Sequence, residues 1–123
     1  MTVVRVLLVD DQAPFLRAMN AVVEETTGFE VVGEASSGEE SLLAAAELRP
    51  HLVLMDVNLP GIGGLEATRQ MQEWPSPPVV LLLSTYDEDA GAHFVVESGA
   101  AAYVTKSAFS PDRLRAVWAA GSA

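Results

Sequence analysis

The feature that most limits the fold is an alternation of short Val/Leu runs with longer segments whose apolar residues recur at helical spacing. Residues 3–9 (VVRVLLV), 52–55 (LVLM) and 79–83 (VVLLL) are almost free of polar positions. That is the pattern of parallel strands covered on both faces, where no side faces water. Residues 30–35 and 101–104 complete a set of five strand candidates. Helix candidates lie between and after them, near 14–26, 38–48, 64–73, 88–98 and 111–120. Strands that alternate with helices need right-handed crossovers, which predicts an α/β domain with a parallel sheet and helices on both faces. The 123 residues suit one domain, 1–123, with no linker, repeat or low-complexity stretch.

Local signals agree with this layout. Pro14 suits a first helical turn, where its missing N–H would be unpaired anyway. Ser37-Gly-Glu-Glu40 reads as a capping box, Gly28 and Gly99 as left-handed helix closures, and Ser110-Pro111 as an N-cap followed by an N1 proline. Phe15, Met19, Val22 and Val23 share a face of the first helix, as Leu42, Leu43, Ala46 and Leu48 do in the second; both stripes predict core packing.

Composition excludes several functions. With 17 acidic against 7 basic residues the net charge is −10, and no Lys/Arg cluster offers a phosphate-backbone footprint, so this segment is not expected to bind nucleic acid directly. No apolar run nears the roughly 20 residues of a membrane span. No signal-peptide order opens the chain, and the absence of cysteine removes disulfides and Cys-ligated zinc; the expected location is the cytoplasm.

The chemistry lies at the strand ends. Strand one ends in Asp10-Asp11, strand three in Asp56, strand four in Ser84-Thr85, and strand five leads through Tyr103 to Lys106. In a doubly wound sheet these ends share the edge where ligands bind. Three converging carboxylates repel one another, and a hard divalent cation such as Mg²⁺ relieves that repulsion while keeping positions for water and phosphate oxygens. Carboxylates, a cation, a hydroxyl and a lysine describe a phosphoryl site, with Ser84 and Lys106 against its oxygens. An aspartate can itself be the nucleophile. Asp56, between a Val/Leu strand and the turn Asn58-Leu-Pro-Gly61, is the best candidate; that turn could aim the Asn58 main-chain carbonyl at the metal, and Asp10 and Asp11 are better placed as ligands.

With these pieces in view, LLVDDQ (7–12), LVLMDVNLPGIGG (52–64), LLLSTYDED (81–89) and GAAAYVTKS (99–107) together resemble the receiver domains of bacterial two-component response regulators over essentially the whole chain. The resemblance implies a flavodoxin-like (βα)5 fold with strand order 2-1-3-4-5. It implies Mg²⁺ (or Mn²⁺) held by Asp11, Asp56 and the Asn58 carbonyl, with Asp10 acting through water. Asp56 would be the phosphoacceptor, Ser84 and Lys106 would hold phosphoryl oxygens, and Ser84 and Tyr103 would form the switch pair. A sensor histidine kinase is the implied donor, with a homodimer formed on activation. Ser84-Thr85-Tyr86 and Lys106-Ser107-Ala108 are most similar to the NarL/FixJ subfamily, which implies that the chain is the N-terminal part of a longer protein reaching DNA through a C-terminal helix-turn-helix.

Some positions depart from the pattern. Gln12 replaces an acid or histidine, Gly63 an aspartate, and Ser107 the proline after the lysine; a trans Lys106–Ser107 bond is expected, because a cis bond without proline costs roughly 3 kcal/mol. Simpler readings stand beside the functional ones: Asp11 as a helix cap, Tyr103 as a half-buried strand aromatic, Asp87-Glu-Asp89 as the acidic start of a helix, His51 and His93 as surface or packing residues, Trp74 and Trp118 as partial core. An aspartyl-phosphate hydrolase would place its nucleophile after strand one with a second acid two residues on, where Gln12 stands. A flavin carrier would need a phosphate loop there.

Overall fold

The computed structural model describes residues 2–122. In chain order the elements are β1 (Val4–Val9), α1 (Ala13–Glu24), β2 (Phe29–Ala35), α2 (Gly38–Leu48), β3 (Leu52–Asp56), α3 (Gly63–Gln72), β4 (Val79–Ser84), α4 (Glu88–Ser98), β5 (Ala102–Thr105) and α5 (Pro111–Gly121), with a short 3₁₀ turn at Lys106–Ala108. The strands form one parallel sheet in the order β2-β1-β3-β4-β5. Strand order reverses at β1, so the crevice of a doubly wound fold opens between the carboxyl ends of β1 and β3.

The unbroken apolar strands feed two cores. Leu7, Val9, Val53, Met55, Val80 and Leu82 pack on one face with Ala45, Ala67 and Met71 of α2 and α3. Val6, Leu8, Leu52, Leu54, Leu81 and Leu83 pack on the other with Met19 and Val23 of α1 and Leu114 of α5. Successive residues of each strand thus go to opposite layers, which is why, before their polar ends, β1, β3 and β4 carry only one polar residue, Arg5.

Helix ends follow the sequence in part. Ser37 Oγ accepts from Glu40 N at 3.1 Å, but the return arm of the box reaches Ser36 N at 3.3 Å rather than the cap residue. Ser110 caps α5 and Gly99 closes α4 in the left-handed region, as expected. Gly28 does not close α1: that helix passes into Glu25 in right-handed conformation, and Gly28 turns the chain toward β2 instead. The α2 stripe also needs correction. Leu43 is 73% exposed and Ala46 lies outward, while Gly38, Ser41 and Ala45 are buried and Leu42 and Leu48 partly so. Small residues at that face let α2 lie close to the sheet, so the bulkiest side chains do not mark it. All peptide bonds among the described residues are trans, the Lys106–Ser107 bond included.

Candidate functional site

Asp56 is the last residue of β3 and Ser84 the last of β4; Asp10 and Asp11 follow β1, and Lys106 follows β5. Each polar side chain therefore stands where an apolar strand runs out, and parallel pairing places all of them at one edge of the sheet. One carboxylate oxygen from each of Asp10, Asp11 and Asp56 lies within 4.8 Å of the others. Asp10 and Asp56 are buried and Asp11 is exposed at the mouth. The Lys106 ammonium is 2.8 Å from Asp10 Oδ2 and 3.6 Å from Asp56 Oδ2. Lys106 is the only lysine of the chain.

Asp10 positions the start of α1: its Oδ1 accepts from Gln12 N at 2.8 Å. The residue at the N-cap is Gln12, without a side-chain cap hydrogen bond, so Asp11 does not cap the helix and its carboxylate is left to the pocket. Asp10 Oδ2 is buried and, although the ammonium is near, has no hydrogen bond of adequate alignment. A hard-oxygen donor set with an orphaned buried lone pair fits a small divalent cation.

The turn after β3 is set by close packing. Gly64 N donates to Val57 O at 3.2 Å, and a Cβ on Gly64 would run into the backbone carbonyl of Asp56. Only glycine lets α3 begin this near the acidic edge. Asn58 N donates to Asp56 Oδ1 at 3.3 Å, and Asn58 Nδ2 reaches Ser84 Oγ at 3.5 Å. Burial among like charges pushes the Asp56 carboxyl up to about 6: desolvation is the largest cause, followed by the charge of Asp10, with Asp11 adding a little. Lys106 and the Asn58 N–H oppose the rise without cancelling it.

Tyr103 on β5 is half-buried. Its hydroxyl donates to Tyr86 O at 2.5 Å, its ring lies against Gly91 and edge-on to Phe94, and burial pushes its phenol up. Tyr86, exposed, stacks edge-on to Phe94 and donates to Asn58 Oδ1 at 3.3 Å. Two neighbours of the site were not singled out from sequence. Tyr86, two residues past Ser84, was reachable from its place after a strand end. Phe15, whose ring centroid is 4.4 Å from the Lys106 ammonium, was read only as core. His51 and His93 lie at the surface, away from the acids; His51 Nδ1 accepts from Arg5 N at 3.0 Å. Asp87 caps α4 through Ala90 N at 2.9 Å, and Trp74 and Trp118 flank the two cores.

Fold and site define a doubly wound (βα)5 domain whose switch-point crevice is an acidic pocket with one hydroxyl and one ammonium. The chain belongs to the response regulator receiver domain family, which it matches over residues 6–119. It is 42% identical over 114 residues to the response regulator GacA of Pseudomonas protegens, covering 93% of this chain and 54% of that protein. It is 36% identical over 117 residues to the transcriptional regulatory protein LiaR of Bacillus subtilis, covering 95% and 56%. A two-component response regulator of the LuxR family from Aurantimonas sp. SI85-9A1 superposes with a TM-score of 0.83 at 35% identity, covering 94% of this chain and 81% of that one. The chain thus spans about half the length of the curated relatives it matches. It is a receiver domain of the NarL/LuxR type, a signalling switch of two-component systems. Receiver domains generally bind Mg²⁺ at an acidic pocket, and response regulators interact with sensor histidine kinases. Among the described residues, no helix is long and apolar enough to cross a membrane.

Proposed function

We propose that Asp56 accepts a phosphoryl group from the phosphohistidine of a sensor histidine kinase. The observation that carries this reading is the meeting of Asp10, Asp11, Asp56 and Lys106 at the carboxyl edge of the sheet. In the transfer the phosphorus–nitrogen bond breaks, a bond forms from phosphorus to an Asp56 carboxylate oxygen, and the imidazole leaves with the electron pair. Asp11, Asp56 and the Asn58 carbonyl would hold Mg²⁺ or Mn²⁺ directly, with Asp10 joining through water. A bound divalent ion supplies charge neutralisation between the acids and the phosphoryl oxygens.

Lys106 brings a positive charge to the oxygens that gain charge in transfer, and Ser84 donates its hydroxyl to another. Asn58 N keeps the Asp56 carboxylate oriented. Hydrogen bonding of Ser84 to the phosphoryl group would draw it from Asn58, and Tyr103 would change its packing against α4 in response. Donor and acceptor make this a switch whose domain assists its own phosphorylation and dephosphorylation rather than a turnover enzyme.

For the whole protein we propose a transcription regulator of cytoplasmic location. Residues 1–123 would be its receiver, followed by a LuxR-type helix-turn-helix domain that binds DNA, with the receiver pairing as a homodimer on activation. The relatives' length and the likeness to the transcriptional regulatory protein LiaR support this reading. The direct test treats the chain with acetyl phosphate and Mg²⁺ and follows intact mass. Wild type is expected to gain one phosphoryl group at Asp56 and Asp56→Asn none; equal modification of both proteins sinks the assignment.

A further inference from the structure

We infer that Phe15 is a positioning residue for Lys106: its ring face is the wall that keeps the ammonium aimed into the acidic pocket. The inference rests on the reading of Lys106 as the cation beside the phosphoryl group. Phe15 sits in the first turn of α1, three residues past Gln12, half-buried against the α1–α5 core. Lys106 stands on the 3₁₀ turn after β5, and its ammonium lies 4.4 Å from the Phe15 ring centroid. That distance is well inside the range in which a ring quadrupole attracts a cation.

A lysine has a long, freely rotating stem, and nothing covalent directs its end. The Lys106 side chain is nevertheless only 14% exposed. Its two anionic partners, Asp10 at 2.8 Å and Asp56 at 3.6 Å, belong to the pocket. Both carboxylates must exchange partners when a cation or a phosphoryl group arrives, so neither can hold the lysine through the whole reaction. The ring can. It carries no charge, it does not titrate, and it is anchored by its own packing on Met19's side of the core. Among the described residues, Phe15 therefore supplies the one contact of the ammonium that is independent of what the acids are doing.

The single lysine makes this testable without crowding from other residues. With ¹³C-lysine labelling, the metal-free protein shows one lysine Cε–Hε signal. In wild type and Phe15→Tyr it is expected upfield of the random-coil position because of the ring current, and in Phe15→Leu and Phe15→Met at or near that position. The second measurement is the rate of Asp56 modification by acetyl phosphate with Mg²⁺. Phe15→Leu is expected to slow it about three- to tenfold and Phe15→Tyr less than about twofold. In a Lys106→Met background, Phe15→Leu is expected to cause no further loss. A loss of the same size in both backgrounds would mean that Phe15 acts by packing alone, and an unmoved lysine signal would mean that ring and ammonium do not meet; either overturns the inference. If wild type takes no phosphoryl group at all, it is the Asp56 assignment that fails, and the lysine signal alone then decides the contact.

Discussion

Asp56→Asn should make the metal-free protein more stable, by an amount that depends on pH. In the folded protein the carboxyl is raised from 3.8 to about 6, chiefly by desolvation and then by Asp10. Its side chain is 4% exposed, so solvent screening removes little of the effect. Between pH 3.8 and about 6 the folded state still holds a proton that the unfolded chain has lost. Stability contributed by this group therefore falls as pH rises through that window and stays low above it. The full cost above pH 6 is about 3 kcal/mol, against about 1 kcal/mol at pH 4.5. Asparagine keeps an acceptor for Asn58 N and carries no charge, and Lys106 keeps Asp10 as its partner. For a domain of this size about 3 kcal/mol corresponds to roughly 10–12 °C in Tm. Thermal unfolding in EDTA should show Asp56→Asn above wild type by about that much at pH 7.5 and by about 4 °C at pH 4.5. Millimolar Mg²⁺ should stabilise wild type more than the variant at pH 7.5, because it relieves the same repulsion. A gap of equal size at both pH values, or none at pH 7.5, would refute the electrostatic reasoning.

Other perturbations test separate parts of the structure. Lys106→Met leaves Asp10 and Asp56 buried without their cation; urea unfolding in EDTA should show a loss of about 1–3 kcal/mol, much of it returned by saturating Mg²⁺. Gly91→Ala places a methyl inside the space of the Tyr103 ring. It should destabilise wild type yet stabilise a Tyr103→Ala background by about 0.5–1 kcal/mol, the ordinary helix preference of alanine over glycine, as read by chemical denaturation. Ser37→Ala removes the acceptor for Glu40 N and should cost about 1 kcal/mol in the same assay, with no change in acetyl phosphate reactivity.

The sheet and the acids were legible in the sequence for one reason. Strands covered on both faces show as unbroken Val/Leu, so their polar terminators stand out, and β1, β3 and β4 end at Asp10-Asp11, Asp56 and Ser84. The α2 face was misread because Leu43 is hydrophobic yet points to water, while the real contact face carries Gly38, Ser41 and Ala45. The second helix ends at Leu48, where the sequence placed it, but the manner of its closure was unsignalled: Arg49 adopts φ 49° where a glycine is usual. Phe15 over Lys106 and Gly91 under Tyr103 are contacts between different elements, and helical periodicity says only that such residues are apolar or small. That the ammonium lies nearer Asp10 than Asp56 depends on side-chain packing no local pattern encodes.

The fit of Gly64 against the Asp56 carbonyl has a mechanical consequence. On the α3 side the Asp56 main chain is jammed against a helix with no slack for even one methyl group. On the other side the ladder to β4 holds that main chain, with Val57 N donating to Leu83 O at 3.0 Å. It is the side chains that are loosely tied, by long contacts of 3.3–3.5 Å linking Asp56, Asn58, Ser84 and Tyr86. With the main chain held on both flanks, a disturbance at the Asp56 carboxylate has its easiest outlet through those side chains, like a door whose frame is fixed and whose leaf swings.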